Sequence, residues 1–313
     1  MHRKRTRFAA RVHRVALALE RRGIRATYEL HDRLLSNRLA RRRFAQRPPQ
    51  LDGKQQALVQ ALDRDGYAVA SWVDFFQDEA LWREIEAQGA RFRAKTEAAL
   101  SGEGAEELKR HAGKEFVVRL YSYGVDLGLD DPWFRACLSR RLLDVANAYL
   151  RLWSKLEYVD LWYSIPQPAD AERRASQRWH RDYNDRHLLK AFLYLADVDE
   201  EAGPFQYVPG SQPGGPYASA WRWQPLGITY PPEEELARRI PAEAVKTFTA
   251  PKGTLILCNT SGFHRGGFAT GKPRLLATCT YSSPASLASL TERSYAFRGD
   301  LGQLDPEQRY AVS

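Results

Sequence analysis

The feature that most constrains the fold of this chain is the sequence pattern of its C-terminal half, where short apolar runs alternate with Gly and Pro turns. From Leu156 onward these runs are rich in β-branched and aromatic residues, and they read LEYVDLWYSIP, LLKAFLYLADVD, GPFQYVPG, TLILCNTSG and PRLLATCTYSS. Short strands separated by turns are typical of an all-β barrel or sandwich, whereas βαβ units would need helices between the strands. We therefore expect a β core in this half of the chain.

The first half of the chain is mainly helical in its patterning. Helices are expected at Lys54–Leu62, Asp78–Lys109 and Pro132–Trp153, and short strands at residues 66–70 and 116–121. We expect both strands to join the C-terminal sheet, so the change of texture near residue 155 is not a domain boundary. The sequence thus predicts a basic helical arm over residues 1–50 and a single domain over 51–313, with a helical part (51–155) and a β core (about 155–290).

Basic residues are concentrated in the N-terminal arm. Residues 1–47 hold 15 of the 47 Lys and Arg residues but only 3 of the 38 Asp and Glu residues. Apolar residues recur there at helical spacing in two stretches, at Phe8, Val12, Val15 and Leu19 and, within Tyr28–Phe44, at Leu30, Leu34, Leu35 and Leu39. Three interpretations are open: the arm packs on the body with a solvated basic face, it binds an anionic membrane surface or another acidic partner, or, least favoured, it binds nucleic acid.

Several classes of protein are disfavoured by composition. No uncharged apolar run approaches the roughly 20 residues of a membrane-spanning helix. The three cysteines, Cys137, Cys258 and Cys279, are far apart and form no CxxC pair, which argues against a disulfide framework or a cysteine-bound zinc ion. The basic N-terminus is not followed by the apolar core of a secretory signal. We therefore expect a cytoplasmic protein, peripheral at the inner membrane face if the arm binds lipid.

The strongest chemical signal is the tripeptide His180-Arg181-Asp182. In an extended segment residues i and i+2 point the same way, so the imidazole of His180 and the carboxylate of Asp182 can face one point. Among the other histidines, His264 stands apart because it follows the apolar strand Thr254–Cys258. Two His and one carboxylate on one face of a metal ion form the ligand set of non-haem Fe(II) oxygenases. A structural His–Asp hydrogen bond is the competing interpretation.

Arg274 strengthens the metal interpretation. It begins the strand RLLATCTY ten residues after His264, where its side chain can enter the barrel beside the metal. A planar guanidinium can hold a carboxylate with two parallel hydrogen bonds. An oxygenase that binds 2-oxoglutarate at iron needs such a clamp for the distal carboxylate of that cosubstrate.

Taken together and in this order, the motifs resemble the phytanoyl-CoA dioxygenase family of Fe(II)/2-oxoglutarate oxygenases. The resemblance rests on WHRDYND, LKAFLYLADVDEEAGPFQYVPGSQ, PKGTLILCNTSGFHRGG and PRLLATCTYSS, and it covers about residues 155–283. It implies a mainly β fold with flanking N-terminal helices, built on a double-stranded β-helix of the jelly-roll or cupin-like type. It also implies that His180, Asp182 and His264 bind Fe(II), and that Arg274 binds the C5 carboxylate of 2-oxoglutarate.

Four further residues are candidates for the pocket, each with a plain structural alternative. The resemblance places Tyr163 beside the cosubstrate, although it can equally be an aromatic of the β core. Lys190 lies in the otherwise apolar strand LLKAFLYL, and its ammonium reaches 2-oxoglutarate or substrate, or faces solvent at an edge. Phe192 shares the face of Lys190 and is expected to wall the pocket. Arg119 is a candidate on similar grounds, with a surface ion pair as the alternative.

The resemblance implies a hydroxylase that couples the oxidative decarboxylation of 2-oxoglutarate by O2 to hydroxylation of an unactivated C–H bond. Asp182 disfavours halogenation, because halogenating members of the family carry a small residue in its place. We expect a small-molecule substrate, a lipid, glycan or natural-product intermediate, selected by the loops 164–178 and 213–248. Aromatic residues of the second loop are Trp221, Trp223 and Tyr230. Two rival functions are open: a non-catalytic β-helix protein that binds a metal or ligand, and an oxygenase directed to nucleic acid or protein by the arm.

Overall fold

A computed structural model describes residues 22–102, 108, 110–111, 114–121, 123–223, 230–286 and 294–313. Its α-helices are α1 (22–33), α2 (Ser36–Gln46), α3 (Gly53–Asp65), α4 (Trp72–Phe76), α5 (Glu79–Leu100), α6 (Pro132–Leu138), α7 (Arg140–Leu150), α8 (Glu233–Ala237) and α9 (Pro306–Val312), with short 3₁₀ helices at Ala175–Gln177, Ala242–Ala244 and Leu301–Gln303. Its strands are β1 (Tyr67–Ser71), β2 (Arg110–His111), β3 (Lys114–Arg119), β4 (Val125–Leu127), β5 (Lys155–Ser164), β6 (Leu188–Tyr194), β7 (Gln206–Tyr207), β8 (Lys246–Thr247), β9 (Thr254–Cys258), β10 (His264–Arg265), β11 (Arg274–Ser282) and β12 (Tyr295–Phe297). The predicted amphipathic stretch around residues 8–19 lies outside the described residues.

Seven strands form the larger sheet, in the order β1-β9-β6-β11-β5-β3-β2. Every pairing in it is antiparallel, and most neighbouring strands are not consecutive in the chain. The sheet is therefore not built from βαβ units, whose strands are parallel. The two strands predicted near residues 66–70 and 116–121 are β1 and β3, and both pair with strands of the C-terminal half. The larger sheet therefore draws on both halves of the chain, as the sequence predicts.

A smaller sheet faces the larger one. It has the order β10-β7-β8 and is extended by an isolated antiparallel bridge between His180 and His264. A second bridge, Val198–Ala250, joins the segments that follow β6 and precede β9. Two facing antiparallel sheets are the arrangement of a jelly roll, and the predicted double-stranded β-helix with flanking helices is confirmed.

The two faces of the larger sheet pack against different partners. On β6, Leu189, Ala191 and Leu193 join the core cluster beneath the helices, whereas Phe192 and Tyr194 join the cluster that faces the smaller sheet. The same alternation holds on β9 and β11, because successive side chains of a strand point to opposite faces. Side chains with the parity of Phe192 therefore face the interior between the two sheets, which we call the barrel interior.

The helices cover the outer face of the larger sheet. The 22-residue helix α5 begins at Asp78, whose side chain accepts a hydrogen bond from the backbone N–H of Leu81, and it packs on β5 and β11. The helix predicted over Pro132–Trp153 is two helices, since Ser139 adopts an extended conformation (φ −64°, ψ 151°) between α6 and α7. Within the described residues, no helix has the length and apolar character needed to cross a bilayer.

The described part of the arm packs on the body through polar and aromatic side chains. The single helix predicted over Tyr28–Phe44 is interrupted at residues 34–35, which separate α1 from α2. The residues that α1 and α2 bury are Tyr28, Asp32, Asn37 and Ala40. The leucines point outward and are between 45% and 63% exposed: Leu30, Leu34, Leu35 and Leu39. Packing on the body is thus observed, but the apolar side of the arm remains at the surface.

Candidate metal centre

The three predicted metal ligands converge at the smaller sheet. His180 and His264 are bridge partners, and each backbone N–H donates to the carbonyl oxygen of the other at 3.0 Å. Two residues later the backbone N–H of Asp182 donates to the carbonyl of Thr260 at 2.8 Å. One ligand atom from each of the three side chains lies within 4.8 Å of the other two. Among the described residues, this is the one cluster of His, Cys, Asp or Glu side chains with the spacing of a metal site.

Both imidazoles are oriented with Nε2 toward the carboxylate. Nδ1 of His180 lies 2.9 Å from the carbonyl of Arg178, and Nδ1 of His264 lies 3.1 Å from the carbonyl of Gly262. A proton on Nδ1 leaves the Nε2 lone pair free for a metal. The Nε2 atoms lie 4.0 Å and 3.9 Å from the carboxylate oxygens of Asp182. Burial lowers the pKa of His264 to about 4 and holds the pKa of His180 well below its usual range, so both rings are neutral near pH 7.

Asp182 is ionised and paired with Lys190. Burial acts to raise the pKa of Asp182, but the ammonium of Lys190 and the two imidazoles outweigh it and hold this pKa below its usual range. The ammonium nitrogen lies 2.6 Å from Oδ2 of the carboxylate. The structure therefore places Lys190 in the barrel interior with Asp182 as its partner, and not at a solvent-facing edge. Its contact with 2-oxoglutarate or substrate stays a prediction.

A second lysine near the centre was not identified from the sequence. Lys114 begins β3, and its ammonium lies 5.5 Å from the ring centroid of Trp162. Burial and the nearby Lys190 lower the pKa of Lys114 to about 8, while Asp182 opposes the shift. In the sequence, Lys114 is followed by the charged residue Glu115, so the pattern does not distinguish Lys114 from a surface lysine.

Arg274 enters the barrel interior from the first position of β11. Its guanidinium is buried, and Nη1 donates to the carbonyl of Gly203. Nε has no hydrogen-bond partner within the described part of the chain. The guanidinium lies beside the strand of His264, because a Cβ built on Gly266 would be only 3.8 Å from Nη2. A buried cation with a free donor fits the distal carboxylate of 2-oxoglutarate, as predicted for this residue.

Phe192 and Arg119 both face the barrel interior. The ring of Phe192 lies 4.9 Å from that of Phe205, which in turn lies 5.9 Å from the imidazole of His264, so one aromatic ring separates Phe192 from the metal triad. Arg119 forms a buried ion pair with Asp160, not the surface pair considered from the sequence. Nη2 of Arg119 has no partner among the described residues.

Tyr163 requires a correction. The structure places it on the outer face of the larger sheet, in the core cluster beneath the helices. Its hydroxyl donates to Glu97 of α5 at 3.2 Å. The neighbouring residue of β5, Trp162, has the parity that faces the barrel interior and packs against the interior cluster. Tyr163 is therefore a core aromatic. Its predicted contact with the cosubstrate is wrong, because its side chain points to the face of the sheet opposite to that of Trp162.

The connection between β7 and β8 of the smaller sheet packs against the ligand segment. Arg181 points away from the metal ligands, as expected, and donates to the backbone carbonyls of Ser261 at 2.7 Å and Ala218 at 3.0 Å. The indole N–H of Trp223 donates to the carbonyl of Asp182 at 2.7 Å. The ring of Tyr230 lies 6.0 Å from that of His180. Of the aromatic residues in the predicted substrate loop, Tyr230 thus lies beside a metal-ligand side chain, and Trp223 contacts the backbone of another ligand.

Comparison with solved structures finds relatives of low sequence identity. EctD from S. alaskensis, solved with 2-oxoglutarate and 5-hydroxyectoine, is 21% identical with a TM-score of 0.50, and the alignment covers 77% of this chain and 79% of EctD. SnoN, a non-heme alpha ketoglutarate dependent epimerase from nogalamycin biosynthesis, is 19% identical with a TM-score of 0.49, over 74% of this chain and 83% of SnoN. AviO1 from Streptomyces viridochromogenes Tue57 is 19% identical with a TM-score of 0.47, over 76% of this chain and 98% of AviO1. The likeness to EctD supports a shared fold.

Sequence comparison gives a more specific result. No curated protein matches the chain. A family model does match, described as Phytanoyl-CoA dioxygenase (PhyH), and it aligns with residues 52–275. The matched region holds the metal triad and Arg274 and begins after the arm. Because the match spans more than half of the sequence, the chain belongs to the phytanoyl-CoA dioxygenase family.

Proposed function

We propose that this protein is an Fe(II)- and 2-oxoglutarate-dependent dioxygenase that hydroxylates a small molecule. The observation that carries the proposal is a triad of two neutral imidazoles and one ionised carboxylate beside a buried guanidinium with a free donor. Two nitrogens and one carboxylate oxygen suit ferrous iron and leave coordination positions for other ligands. Bound iron and 2-oxoglutarate supply the oxidation, in which O2 converts the cosubstrate to succinate and CO2 and one oxygen atom enters a substrate C–H bond.

The chain's own residues would bind and orient these groups. His180, Asp182 and His264 would hold the iron, and Arg274 would hold the distal carboxylate of 2-oxoglutarate. Lys190 keeps the metal-ligand carboxylate ionised through its 2.6 Å contact. The apolar wall that includes Phe192 excludes water from the interior, which strengthens each of these electrostatic contacts.

A small-molecule substrate fits the mouth of this site. The ring of Tyr230 lies 6.0 Å from that of His180 and offers a flat apolar surface for a ring or chain. Lys114, which lies near Lys190 and Asp182, would provide a cation for a polar or acidic group of the substrate. Among the structural relatives, EctD is described with 5-hydroxyectoine, which is also a small molecule. We favour a lipid, glycan or natural-product intermediate over a macromolecule.

The test is 2-oxoglutarate turnover without substrate. Full-length protein with Fe(II), ascorbate and O2 should convert 2-oxoglutarate to succinate slowly, and addition of cell-extract metabolites should accelerate the reaction and yield a product heavier by one oxygen atom. His180→Ala should abolish both reactions, whereas Lys272→Ala, at an exposed ion pair with Asp199, should retain them.

Two results would contradict the proposal. Tight binding of 2-oxoglutarate with no succinate under any condition would favour the non-catalytic binding protein. Succinate formation that is unaffected by His180→Ala would show that the triad does not hold the iron that reacts.

The outward leucines of the arm support a second proposal. We infer that this surface docks on an anionic membrane. The four leucines are Leu30, Leu34, Leu35 and Leu39. Exposed arginines, among them Arg38 and Arg42, lie on the same helix pair, and the arm carries most of the chain's positive charge excess. Apolar side chains framed by cations match the acyl boundary and the phosphates of anionic lipids.

Vesicle flotation tests the membrane proposal. The full chain should float with phosphatidylcholine vesicles that contain phosphatidylglycerol and not with phosphatidylcholine alone. The double variant Leu34→Asp/Leu39→Asp should lose flotation, whereas Val73→Asp, at an exposed valine outside the arm, should keep it. Flotation that survives the double variant would refute the assignment, and salt-sensitive binding to RNA in place of vesicles would favour the nucleic-acid alternative.

A further inference from the structure

The segment that follows Asp182 is held in place by the N-terminal arm. Tyr28 of α1 is fully buried against residues 183–187. Its hydroxyl donates to Asp185 at 2.6 Å and accepts a hydrogen bond from the backbone N–H of Arg186 at 3.0 Å. A phenol that both donates and accepts fixes the positions of two partners at once. The arm thus contacts the segment directly beyond a metal-ligand candidate.

Asp185 extends this contact into the larger sheet. Its carboxylate also accepts hydrogen bonds from the backbone N–H groups of His187 at 2.9 Å and of Ser283, just after β11, at 2.7 Å. Asn37 of α2 donates to the hydroxyl of Ser283 at 2.9 Å. The arm, the segment 183–187 and the end of β11 therefore form one buried hydrogen-bond network.

Tyr28 also reaches the backbone of Asp182 through one intervening ring. The ring centroids of Tyr28 and Trp223 are 5.4 Å apart, and the indole N–H of Trp223 donates to the carbonyl of Asp182. The guanidinium of Arg186 lies over both rings, 5.1 Å from the centroid of Tyr28 and 5.7 Å from that of Trp223. Tyr28 thus packs against the ring that donates a hydrogen bond to the carbonyl of Asp182.

Ion pairs reinforce the contact on its outer side. Arg186 pairs with Glu29 at 2.9 Å and with Asp32 at 3.2 Å. Nε2 of His187 lies 3.2 Å from Asp32, which also pairs with Arg41 of α2 at 2.8 Å. These groups are only partly exposed, so their attraction is screened less than that of a surface pair.

We propose that the arm is a positioning element of the metal centre, and that Tyr28 is the positioning residue that orients Asp182 toward iron. The arm lies before residue 52, where the family match begins, and no residue of α1 or α2 belongs to the metal triad. Outer contacts of a metal ligand fix its orientation and raise metal affinity even though they do not touch the ion. The proposal rests on the iron-binding function proposed above.

Cobalt titration of the metal-free full-length protein tests the proposal. Tyr28→Phe removes the hydroxyl and keeps the ring, and it should raise the Kd for Co(II), followed by visible absorbance, about tenfold. Tyr295→Phe is the matched control, because it removes another buried hydroxyl, one that donates to the carbonyl of Leu156 at 2.7 Å. The control should lower the thermal midpoint without changing the Kd. Hydrogen exchange of the amides at 185–187 should accelerate in Tyr28→Phe alone.

Equal Co(II) affinities for wild type and Tyr28→Phe would overturn the proposal, and so would equal losses in Tyr28→Phe and Tyr295→Phe. If Tyr28→Phe fails to fold, Glu29→Gln weakens the ion pairs of Glu29 with Arg186 and, within α1, with Arg33, and it should raise the Kd in the same direction by a smaller factor. Arg33→Ala, which removes only the pair within α1, should leave the Kd unchanged. A wild-type protein that binds no Co(II) would refute the proposed function. Hydrogen exchange in the metal-free protein would still show whether Tyr28 orders the segment 183–187.

Discussion

Replacement of Arg274 by Met should weaken the binding of 2-oxoglutarate without lowering the stability of the ligand-free protein. The guanidinium is buried, its one protein acceptor is the carbonyl of Gly203, and no carboxylate of the described residues pairs with it. A buried cation without a counter-charge is destabilising, so Arg274→Met should leave the free energy of unfolding of the ligand-free protein unchanged or raise it by up to about 2 kcal/mol. Most substitutions of buried arginines in ion pairs act in the opposite direction.

The same substitution should nearly abolish 2-oxoglutarate binding. Two charge-assisted hydrogen bonds contribute about 1.5–3 kcal/mol each, so their loss should raise the Kd for 2-oxoglutarate by a factor of about 10²–10⁴. In the wild type, ligand at 100 times its Kd should raise the free energy of unfolding by about 2.7 kcal/mol, and this shift should disappear in Arg274→Met.

Thermal unfolding of the Mn(II)-loaded protein, with and without 2-oxoglutarate, measures both quantities together. Arg274→Lys is an informative intermediate, because it keeps the charge and loses the two-pronged geometry, and it should bind 2-oxoglutarate more weakly than wild type without gaining stability. Lys272→Ala should match wild type in both measurements. A ligand-free Arg274→Met protein that unfolds at lower temperature yet keeps the full 2-oxoglutarate shift would refute the reasoning.

Three further predictions test the site and its support. The pKa of His264 is lowered to about 4, so near pH 6.5 the unfolded chain binds a proton there before the folded chain does. His264 alone should cost the metal-free protein up to about 3 kcal/mol of stability as the pH falls from about 6.5 to 4, and His180, whose pKa is also lowered, should add to this loss. In urea unfolding, His264→Asn should make the slope shallower, and the double variant with His180→Asn should flatten it. Gly89→Ala should lower the free energy of unfolding by about 1–3 kcal/mol, because its Cβ would lie 2.8 Å from Leu195, whereas Gly53→Ala, with open space around it, should be neutral or stabilising. Tyr163→Phe should leave the KM for 2-oxoglutarate unchanged and lower the stability by about 1 kcal/mol, and a large rise in that KM would restore the cosubstrate role.

The metal triad could be predicted because its signal is local. The two-residue spacing of His180 and Asp182 encodes a shared direction in any extended segment, and His264 is marked by the apolar strand before it. Arg274 was identified from its place at the start of the next strand, ten residues after His264, and from the fit of a guanidinium to a carboxylate. The pairing of His180 with Asp182 needs only this local spacing, whereas the addition of His264 and Arg274 drew on the strands beside them and on the family resemblance.

The parity of Tyr163 could not be predicted, because the larger sheet is buried on both faces. In β5 the run LEYVDLWYS is apolar or aromatic at odd and even positions alike, so hydrophobicity does not tell which set faces the helices. A slip of one residue exchanges the two sets. Only the register of β5 against β11, with Trp162 opposite Leu276 and Tyr163 opposite Leu275, decides the question.

The buried face of the arm could not be predicted from the sequence, for a different reason. Its leucines have the spacing of a buried face, yet the buried residues are the aromatic and polar ones. Tyr28 and Asp185 are 157 positions apart, so their contact depends on the tertiary fold and on no local pattern. A sequence pattern records the periodicity of a helix but not which partner offers hydrogen bonds, and here a buried network of polar partners determines which face turns inward.

Three buried polar atoms of the barrel interior have unsatisfied hydrogen-bonding capacity within the described residues. Nη2 of Arg119, Oγ1 of Thr278 and Nε of Arg274 are buried polar atoms that lack partners among the described residues. Thr278 lies opposite Asp160 in the register of β11 and β5, and Asp160 pairs with Arg119, so two of the three atoms are neighbours on the inner face. Buried polar groups without partners are costly, and a fold selected for stability alone would replace them with apolar residues. These atoms lie between the sheets, in the same interior as the triad. Ligands bound in this interior would supply the missing hydrogen-bond partners.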